Sequence, residues 1–400
     1  MENINTTPAA NRFTIGIFGR RNVGKSSLIN AITKQNTALT SNIPGTTTDP
    51  VYKAMEMLPI GPVAFIDTAG LDDVGELGMQ RVEKSYEVLR KCNFAILVTD
   101  ELGITQLEKD FIEELKGRKI RFIVVFNKCG GHTPKIAGNT GFSFVCVSAY
   151  ESKEIEEVKK QIIANSGMEH VKPSLVDGLI KQGETAVLVT PIDSAAPKGR
   201  LILPQQQVIR DILDVGAMAF VTKDTELKQT LKNLKTPPAI VITDSQVFER
   251  VAADTPEDIP LTSFSILFAK QKTDIAEMVR GVKRIETLSK GDNILIVEGC
   301  THHRQDDDIG TVKIPRWINK IVGEGLNYEW TSGACFPKDI KKYSLIIHCG
   351  GCMLNSCEMQ YRTYKSKEQR VNITNYGVLI AYVTGILPRA VKPFFEKGSC

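Results

Sequence analysis

Short apolar runs alternate with amphipathic stretches along the first 170 residues. The strand-like runs are Phe13–Phe18, Tyr52–Leu58, Val63–Ile66, Phe94–Thr99, Ile120–Phe126 and Phe142–Val147. Apolar positions recur at helical spacing in Gln106–Leu115 and Glu151–Ala164, and Thr105 is placed to cap the first of these helices. This alternation predicts a mostly parallel sheet with helices on both faces.

The alternation resumes after a junction near Pro173 and Gly178. The predicted strands are Thr185–Thr190, Ala219–Val221, Ala239–Thr243, Asn293–Gly299 and Tyr343–Ile347, and the predicted helices are Gln205–Leu213, Asp224–Leu234 and Ser245–Ala252. We therefore predict domains at residues 1–170, 171–265 and 266–400. The middle one is a small parallel α/β unit without a catalytic constellation, so we interpret it as a structural or self-association module.

The loop after the first predicted strand carries a phosphate-binding pattern. Gly19-Arg20-Arg21-Asn22-Val23-Gly24-Lys25-Ser26 fits G-x-x-x-x-G-K-S/T, and a predicted helix follows it directly. Glycines let the backbone turn its N–H groups toward phosphate oxygens, and the helix N-terminus adds partial positive charge. Lys25 is placed to reach the outer phosphates, and the Ser26 hydroxyl to bind Mg²⁺.

Four further motifs follow in the order expected for a guanine-nucleotide site. Thr47, within Pro44-Gly45-Thr46-Thr47, is a candidate to complete the Mg²⁺ shell and sense the terminal phosphate. In Asp67-Thr68-Ala69-Gly70, Asp67 would hold the metal through water and the Gly70 N–H would meet the γ-phosphate. Asn127-Lys128 and Ser148-Ala149 each follow a strand-like run. The first pair is placed to recognise the base, and the second to contact it through a main-chain N–H.

Residues 12–165 resemble the small GTPases of the branch that contains tRNA-modification and ribosome-assembly GTPases. The resemblance implies that Lys25, Thr47 and Gly70 serve hydrolysis of GTP. It also implies that Asn22 accompanies stimulation by K⁺, which takes the place of an arginine finger. The residues implied in nucleotide binding are Gly19, Asn22, Val23, Gly24, Lys25, Ser26, Ser27, Thr47, Asp67, Gly70, Asn127, Lys128, Ser148 and Ala149.

Two positions depart from the usual GTPase pattern. Leu71 stands where many GTPases have the glutamine that orients water, and Glu76 is a candidate substitute. Gly130 stands where an aspartate normally accepts two hydrogen bonds from guanine. Since a hydrogen bond to a charged partner contributes ~1.5–3 kcal/mol, we predict that GTP binds through its phosphates with poor discrimination between bases.

The composition of the chain limits the kinds of molecule that it is expected to bind. The chain has 400 residues, is 42% hydrophobic and 24% charged, and carries a formal net charge of +4, which is typical of soluble globular proteins. The small charge and the lack of a long basic run argue against a nucleic-acid partner. No apolar stretch approaches the ~20 residues of a membrane span, and the polar Met1–Asn11 does not resemble a signal peptide. We therefore expect a cytoplasmic protein with no membrane partner.

Two strand-like runs in the last third end in metal-ligand residues. One leads into Cys300-Thr301-His302, and the other into His348-Cys349-Gly350-Gly351-Cys352. A second Cys/His group makes a metal or cluster site a better interpretation than a redox dithiol. Cysteines with a histidine suit tetrahedral zinc, whereas three cysteines with an exchangeable position suit an iron–sulfur cluster. Spacing alone leaves both open.

The combination of the phosphate loop with this cysteine pattern resembles the [FeFe]-hydrogenase maturation GTPases, the HydF family. The resemblance implies that Cys300, Cys349 and Cys352 hold a [4Fe–4S] cluster. It implies a fourth, labile ligand from His302 or His348, or a position open to exogenous groups. An open iron would dock a di-iron precursor. The implied partners are apo-[FeFe]-hydrogenase and radical-SAM maturation enzymes, and the implied assembly is a homodimer.

We therefore predict an α/β protein in which a P-loop Ras-like GTPase domain precedes a small parallel α/β domain and a C-terminal α/β iron–sulfur domain. Its expected role is that of a GTP-hydrolysing scaffold and carrier for the di-iron subcluster of the hydrogenase, with hydrolysis as a switch. The alternative is a ribosome- or RNA-directed GTPase with a structural zinc site.

Overall fold

The computed structural model describes residues 7–34, 51–73, 75–129, 141–147, 152–167, 174–192, 201–299, 308–333 and 336–395. The chain divides into two compact units, Met1–Val171 and Lys172–Cys400. No helix in the described ranges is both long and apolar enough to cross a bilayer.

The first unit is built around one six-stranded sheet with the strand order β2-β3-β1-β4-β5-β6. Strand β2 is antiparallel to β3, and the other neighbours are parallel. The strands are β1 (Phe13–Phe18), β2 (Val51–Met57), β3 (Gly61–Asp67), β4 (Phe94–Thr99), β5 (Arg121–Asn127) and β6 (Phe144–Val147). The helices are α1 (Lys25–Thr33), α2 (Glu76–Lys91), α3 (Gln106–Gly117) and α4 (Ser152–Asn165).

Helices cover both faces of this sheet, which explains its continuous apolar strands. Every residue of β1 and β4 is buried, as expected for parallel strands with both faces covered. One face packs against α1 and α4, and the other packs against α2 and α3. The predicted layered arrangement is confirmed for this unit. Thr105 precedes α3 as predicted, and its N–H donates to Glu108 Oε2 at 3.0 Å in a capping box.

The second unit contains two four-stranded parallel sheets, with orders β10-β9-β7-β8 and β12-β11-β13-β14. The strands are β7 (Thr185–Val189), β8 (Met218–Thr222), β9 (Ile240–Thr243), β10 (Leu261–Ser263), β11 (Asn293–Glu298), β12 (Asn327–Ser332), β13 (Leu345–His348) and β14 (Asn372–Asn375). The helices are α5 (Leu203–Asp214), α6 (Leu227–Asn233), α7 (Phe248–Asp254), α8 (Phe264–Lys272), α9 (Ile275–Val282), α10 (Ile314–Val322), α11 (Ser356–Gln369), α12 (Tyr376–Val383) and α13 (Leu387–Phe395).

The two sheets of this unit share one hydrophobic core. Val187 and Val241 from the first sheet belong to the same buried cluster as Ile296 and Ile347 from the second. The predicted boundary at residue 265 lies inside α8, where most side chains are buried. Whether residues 171–265 and 266–400 are separate domains stays a prediction.

Candidate functional site

The phosphate loop connects the end of β1 to the start of α1 at Lys25. Gly24 has a φ of 96°, and a Cβ atom there would lie 2.2 Å from Asn127 Nδ2. Gly70 approaches from the loop after β3, where an added Cβ would lie 3.0 Å from the backbone nitrogen of Arg21. Only glycine fits this left-handed turn at residue 24, and the small residue at position 70 lets the two loops meet.

Lys25 lies within the loop that it is predicted to serve. Its Nζ donates to the carbonyl oxygens of Gly19 at 3.0 Å and of Arg20 at 2.8 Å. Burial lowers the pKa of Lys25, while the carboxylates of Asp67 and Asp72 partly oppose that effect. An ammonium held by two carbonyl oxygens at the mouth of the loop can exchange them for phosphate oxygens, which fits its predicted role.

Ser26 and Asp67 meet where the metal ion of the site is expected. Ser26 Oγ donates to Asp67 Oδ2 at 2.5 Å. Asp67 Oδ1 is buried and accepts no hydrogen bond from the described part of the chain. Burial raises the pKa of Asp67, and the Ser26 hydroxyl acts in the opposite direction. A hydroxyl beside a buried, partly unsatisfied carboxylate oxygen fits Mg²⁺, a cation that prefers oxygen ligands.

The loop after β3 is fastened to the phosphate loop. The Thr68 hydroxyl donates to the carbonyl of Ile17 at 2.6 Å, and the Leu71 N–H donates to the carbonyl of Gly19 at 3.1 Å. Asp72 Oδ1 accepts from the backbone N–H of Arg21 at 2.7 Å. The predicted contact of Gly70 with a γ-phosphate is compatible with this position. Thr47, the other predicted sensor, lies outside the described residues.

The segment predicted to contact the base is hydrogen-bonded to the same loop. Asn127 is 2% exposed, and its Nδ2 donates to the carbonyl of Val23 at 2.8 Å. Lys128 Nζ donates to the carbonyl of Asn22 at 2.5 Å, and both residues have positive φ angles. The predicted residues Ser148 and Ala149, like Gly130, lie outside the described residues.

Sequence reasoning missed a buried ion-pair group behind the loop. Arg20 Nε donates to Glu108 Oε1 at 2.6 Å, and Nη2 donates to Asp100 Oδ1 at 2.9 Å. Burial lowers the pKa of the Arg20 guanidinium, but the carboxylates of Glu108 and Asp100 have the larger effect and raise this pKa overall. The local signal was the pair Thr105 and Glu108, which marks a helix start. Nothing in the sequence pattern connects that glutamate with Arg20.

The two strands that lead into the cysteine motifs are neighbours in one sheet. β11 and β13 are paired in parallel, and Val297 lies opposite His348. Cys349 Sγ accepts from the N–H of Gly299 at 3.0 Å and from that of Gly351 at 3.4 Å. Gly299 directly precedes Cys300, so the described chain approaches the first motif beside the sulfur of the second. Backbone N–H donors to sulfur fit a thiolate that binds a metal or cluster.

Several predicted ligands have no described placement. Cys300 and His302 lie outside the described residues, whereas Cys349 and Cys352 lie within them. Burial raises the pKa of the Cys352 thiol, and the charge of Lys272 opposes that rise. In the described ranges no three His, Cys, Asp or Glu side chains form a group suited to a metal ion. The complete ligand set therefore stays a prediction.

His348 is fully buried and has both ring nitrogens paired. Its Nδ1 donates to the carbonyl of Cys349 at 2.8 Å, and its Nε2 accepts from Arg362 Nη1 at 2.8 Å. Arg362 Nε donates in turn to Glu358 Oε1 at 2.7 Å. Burial, followed by the charge of Arg362, lowers the pKa of His348 to about 3. The ring is neutral and orients Cys349, and binding a metal through Nε2 would require Arg362 to leave.

Family models match three consecutive parts of the chain. A model described as 50S ribosome-binding GTPase matches residues 14–128. The model of the hydrogen maturase F dimerization domain matches residues 175–273. The model of the hydrogen maturase F tetramerization domain matches residues 276–393.

Similar proteins of known sequence match part of the chain. The tRNA modification GTPase MnmE of Trichodesmium erythraeum is 30% identical over 187 residues, which are 44% of this chain and 39% of that protein. MnmE of Thermoanaerobacter sp. strain X514 is 39% identical over 110 residues, 27% of this chain and 24% of that protein. The chain thus covers less than half the length of either relative.

Solved structures with similarity to part of the chain include the G domain of the T. maritima FeoB iron transporter and Aquifex aeolicus Era. The first is 22% identical over 39% of this chain and 99% of that chain, with a TM-score of 0.30. The second is 17% identical over 52% of this chain and 91% of that chain, with a TM-score of 0.32.

With its GTPase domain the chain is a GTP hydrolase. Because two hydrogen maturase F models cover the second unit in succession, it belongs to the hydrogen maturase F (HydF) family of hydrogenase maturation GTPases.

Proposed function

We propose that this maturation GTPase is a scaffold and carrier on which the di-iron subcluster of [FeFe]-hydrogenase is completed and from which it passes to the apo-hydrogenase. The observation that supports this role is the hydrogen bond from the Gly299 N–H to Cys349 Sγ at 3.0 Å. It brings the strand end before Cys300 to the sulfur of the second motif. Neighbouring strand ends that lead into two cysteine motifs suit a shared cluster better than a redox pair of cysteines at the surface.

Cys300, Cys349 and Cys352 would hold the [4Fe–4S] cluster. When bound, the cluster supplies an iron position at which a di-iron precursor can attach. Gly299 and Gly351 donate backbone N–H groups to Cys349 Sγ, and these donors stabilise negative charge on the sulfur. His348 orients the Cys349 carbonyl. We propose His302 or an exogenous group for the fourth ligand, because both nitrogens of His348 already have partners.

The nucleotide site would act as a switch. Lys25 and the backbone N–H groups of the phosphate loop bind the phosphates, and Ser26 and Asp67 hold Mg²⁺. We propose that K⁺ at Asn22 neutralises charge as the γ-phosphate leaves. The loop from Asp67 to Asp72 is fastened to the phosphate loop by hydrogen bonds that a γ-phosphate would replace. Hydrolysis would then change the surface offered to radical-SAM maturation enzymes or to the hydrogenase.

Anaerobic metal analysis tests the cluster. Purified and reconstituted protein should contain iron and acid-labile sulfide and should absorb broadly in the visible range. The Cys349→Ala variant should lose most of both, while Cys92→Ala, a change at a buried cysteine of the first unit, should retain them. Colourless protein with stoichiometric zinc and no sulfide would instead support the structural-zinc alternative and refute the scaffold role.

A further inference from the structure

A lysine ammonium is buried against the cysteine loop of the second unit. Lys272, the last residue of α8, is 3% exposed. Its Nζ donates to the carbonyl oxygens of Gly351 at 2.8 Å, Cys352 at 3.4 Å and Leu354 at 2.7 Å. Three carbonyl acceptors match the three N–H donors of a charged ammonium. The aromatic ring of Phe268 adds a further favourable contact, with its centroid 4.9 Å from Nζ.

The lysine and the loop come from different parts of the chain. These hydrogen bonds join residues that are 79 to 82 positions apart in the sequence. Lys272 lies within the segment matched by the dimerization model, and Cys349–Cys352 lies within the segment matched by the tetramerization model. Helix α8 thus fixes the backbone of the cysteine loop from outside the segment that contains the cysteines.

Burying an ammonium costs free energy unless its charge is compensated. Three carbonyl oxygens of the loop orient the ammonium, and the Phe268 ring lies 4.9 Å from Nζ. An anionic iron–sulfur centre held by Cys349 and Cys352 would add a Coulombic attraction to this ammonium, whose Nζ lies 3.4 Å from the Cys352 carbonyl oxygen. The same lysine would then favour the more negative, reduced form of that centre.

We propose that Lys272 is a positioning residue for the cluster, which orients the loop from Cys349 to Leu354 and raises the reduction potential of the centre. This inference rests on the proposed function, since it requires a cluster at those cysteines. Its two parts, the hydrogen bonds and the charge, can be separated by substitution. Lys272→Met removes both, Lys272→Gln keeps an N–H donor without the charge, and Lys272→Arg keeps the charge.

The test uses full-length protein reconstituted anaerobically with ferrous iron and sulfide. We expect Lys272→Met to lose iron to a chelator about tenfold faster or more, in line with losses at other outer-shell partners of metals. In an EPR-monitored titration, Lys272→Met and Lys272→Gln should both have a more negative midpoint potential than the wild type. Lys272→Arg should stay close to the wild type, as should Lys283→Met, which changes an exposed lysine of the same unit.

The outcomes separate this inference from the proposed function. If the wild type binds no iron and sulfide, the cluster assignment fails and the role of Lys272 fails with it. If the wild type binds a cluster and the Met and Gln variants keep its potential and its rate of iron loss, only the inference about Lys272 is overturned. If Lys272→Met does not fold, the midpoint potential of Lys272→Gln decides, because that variant retains a donor to the loop.

Discussion

At the scale of single residues, both sites depend on side chains whose partners are distant in sequence. The phosphate-loop motif was predicted from the sequence because its two glycines, lysine and serine lie within eight consecutive positions. The partner of Arg20 in the buried ion pair, Glu108, was not, because sequence pattern reveals only its local role as a cap. In the same way, His348 has the sequence context of a metal ligand, but Arg362 occupies its second nitrogen.

Gly24→Ala should abolish nucleotide binding. The left-handed backbone costs a residue with a Cβ about 1–2 kcal/mol, and this Cβ would also lie 2.2 Å from Asn127 Nδ2. Titration with a fluorescent GDP analogue measures the effect. Gly117→Ala is the control, because an added Cβ there meets nothing within 4 Å and the backbone is helical. Wild-type affinity in Gly24→Ala would contradict the placement of Asn127 behind the loop.

Arg362→Ala should destabilise the second unit by about 3–5 kcal/mol, the usual cost of leaving a buried charge without its partner. The substitution removes the donors to Glu358 and His348, both of which are buried. Urea unfolding followed by circular dichroism measures the loss. Arg316→Ala changes an exposed arginine and should leave the midpoint unchanged. A comparable midpoint in both variants would show that the buried network contributes little.

Base selectivity is predicted to be weak because Gly130 replaces an aspartate. Under the same conditions, the preference for GTP over ITP and ATP analogues should be about one or two orders of magnitude smaller than with an aspartate at this position, because one or two hydrogen bonds to a charged group are lost. Gly130→Asp should increase the preference for GTP. A preference of about a thousandfold or more in the wild type, well beyond that estimate, would contradict the prediction.

At the scale of helices and strands, apolar composition determined which strands could be predicted. Strands β1, β4 and β9 are buried along their whole length, and each is a mainly apolar run. Strand β14 (Asn372–Asn375) and the edge strand β12 (Asn327–Ser332) are polar and were not predicted. Their pairing depends on neighbouring strands, which the local sequence does not reveal.

Strand β8 is the edge of its sheet and exposes apolar side chains. Met218, Phe220 and Val221 are 49%, 45% and 46% exposed. An apolar edge within the part matched by the dimerization model fits pairing with a second copy of the chain. Phe220→Lys should therefore shift the protein to a smaller assembly in sedimentation velocity. Leu102→Lys, at an exposed leucine of the first unit, should not. An unchanged assembly in Phe220→Lys would exclude this edge.

At the scale of the whole molecule, the nucleotide and cysteine sites belong to different compact units. We expect their basic chemistry to be separable by mutation. Lys25→Ala should lose GTP hydrolysis and keep iron and sulfide, because the second unit retains its core. Cys349→Ala should lose iron and sulfide and keep GTP hydrolysis. Loss of both properties in either variant, with folding intact by circular dichroism, would show that each site requires the other.

The bond from Asn127 to the carbonyl of Val23 has a consequence for the choice of nucleotide. The strand end that is predicted to contact the base also supports the predicted phosphate loop, so we expect the pocket for the phosphates to have its shape before a nucleotide binds. Preorganisation of this kind reduces the entropy lost on binding. Most of the affinity for GTP is then expected to come from its triphosphate group, so inorganic triphosphate should compete effectively with GTP.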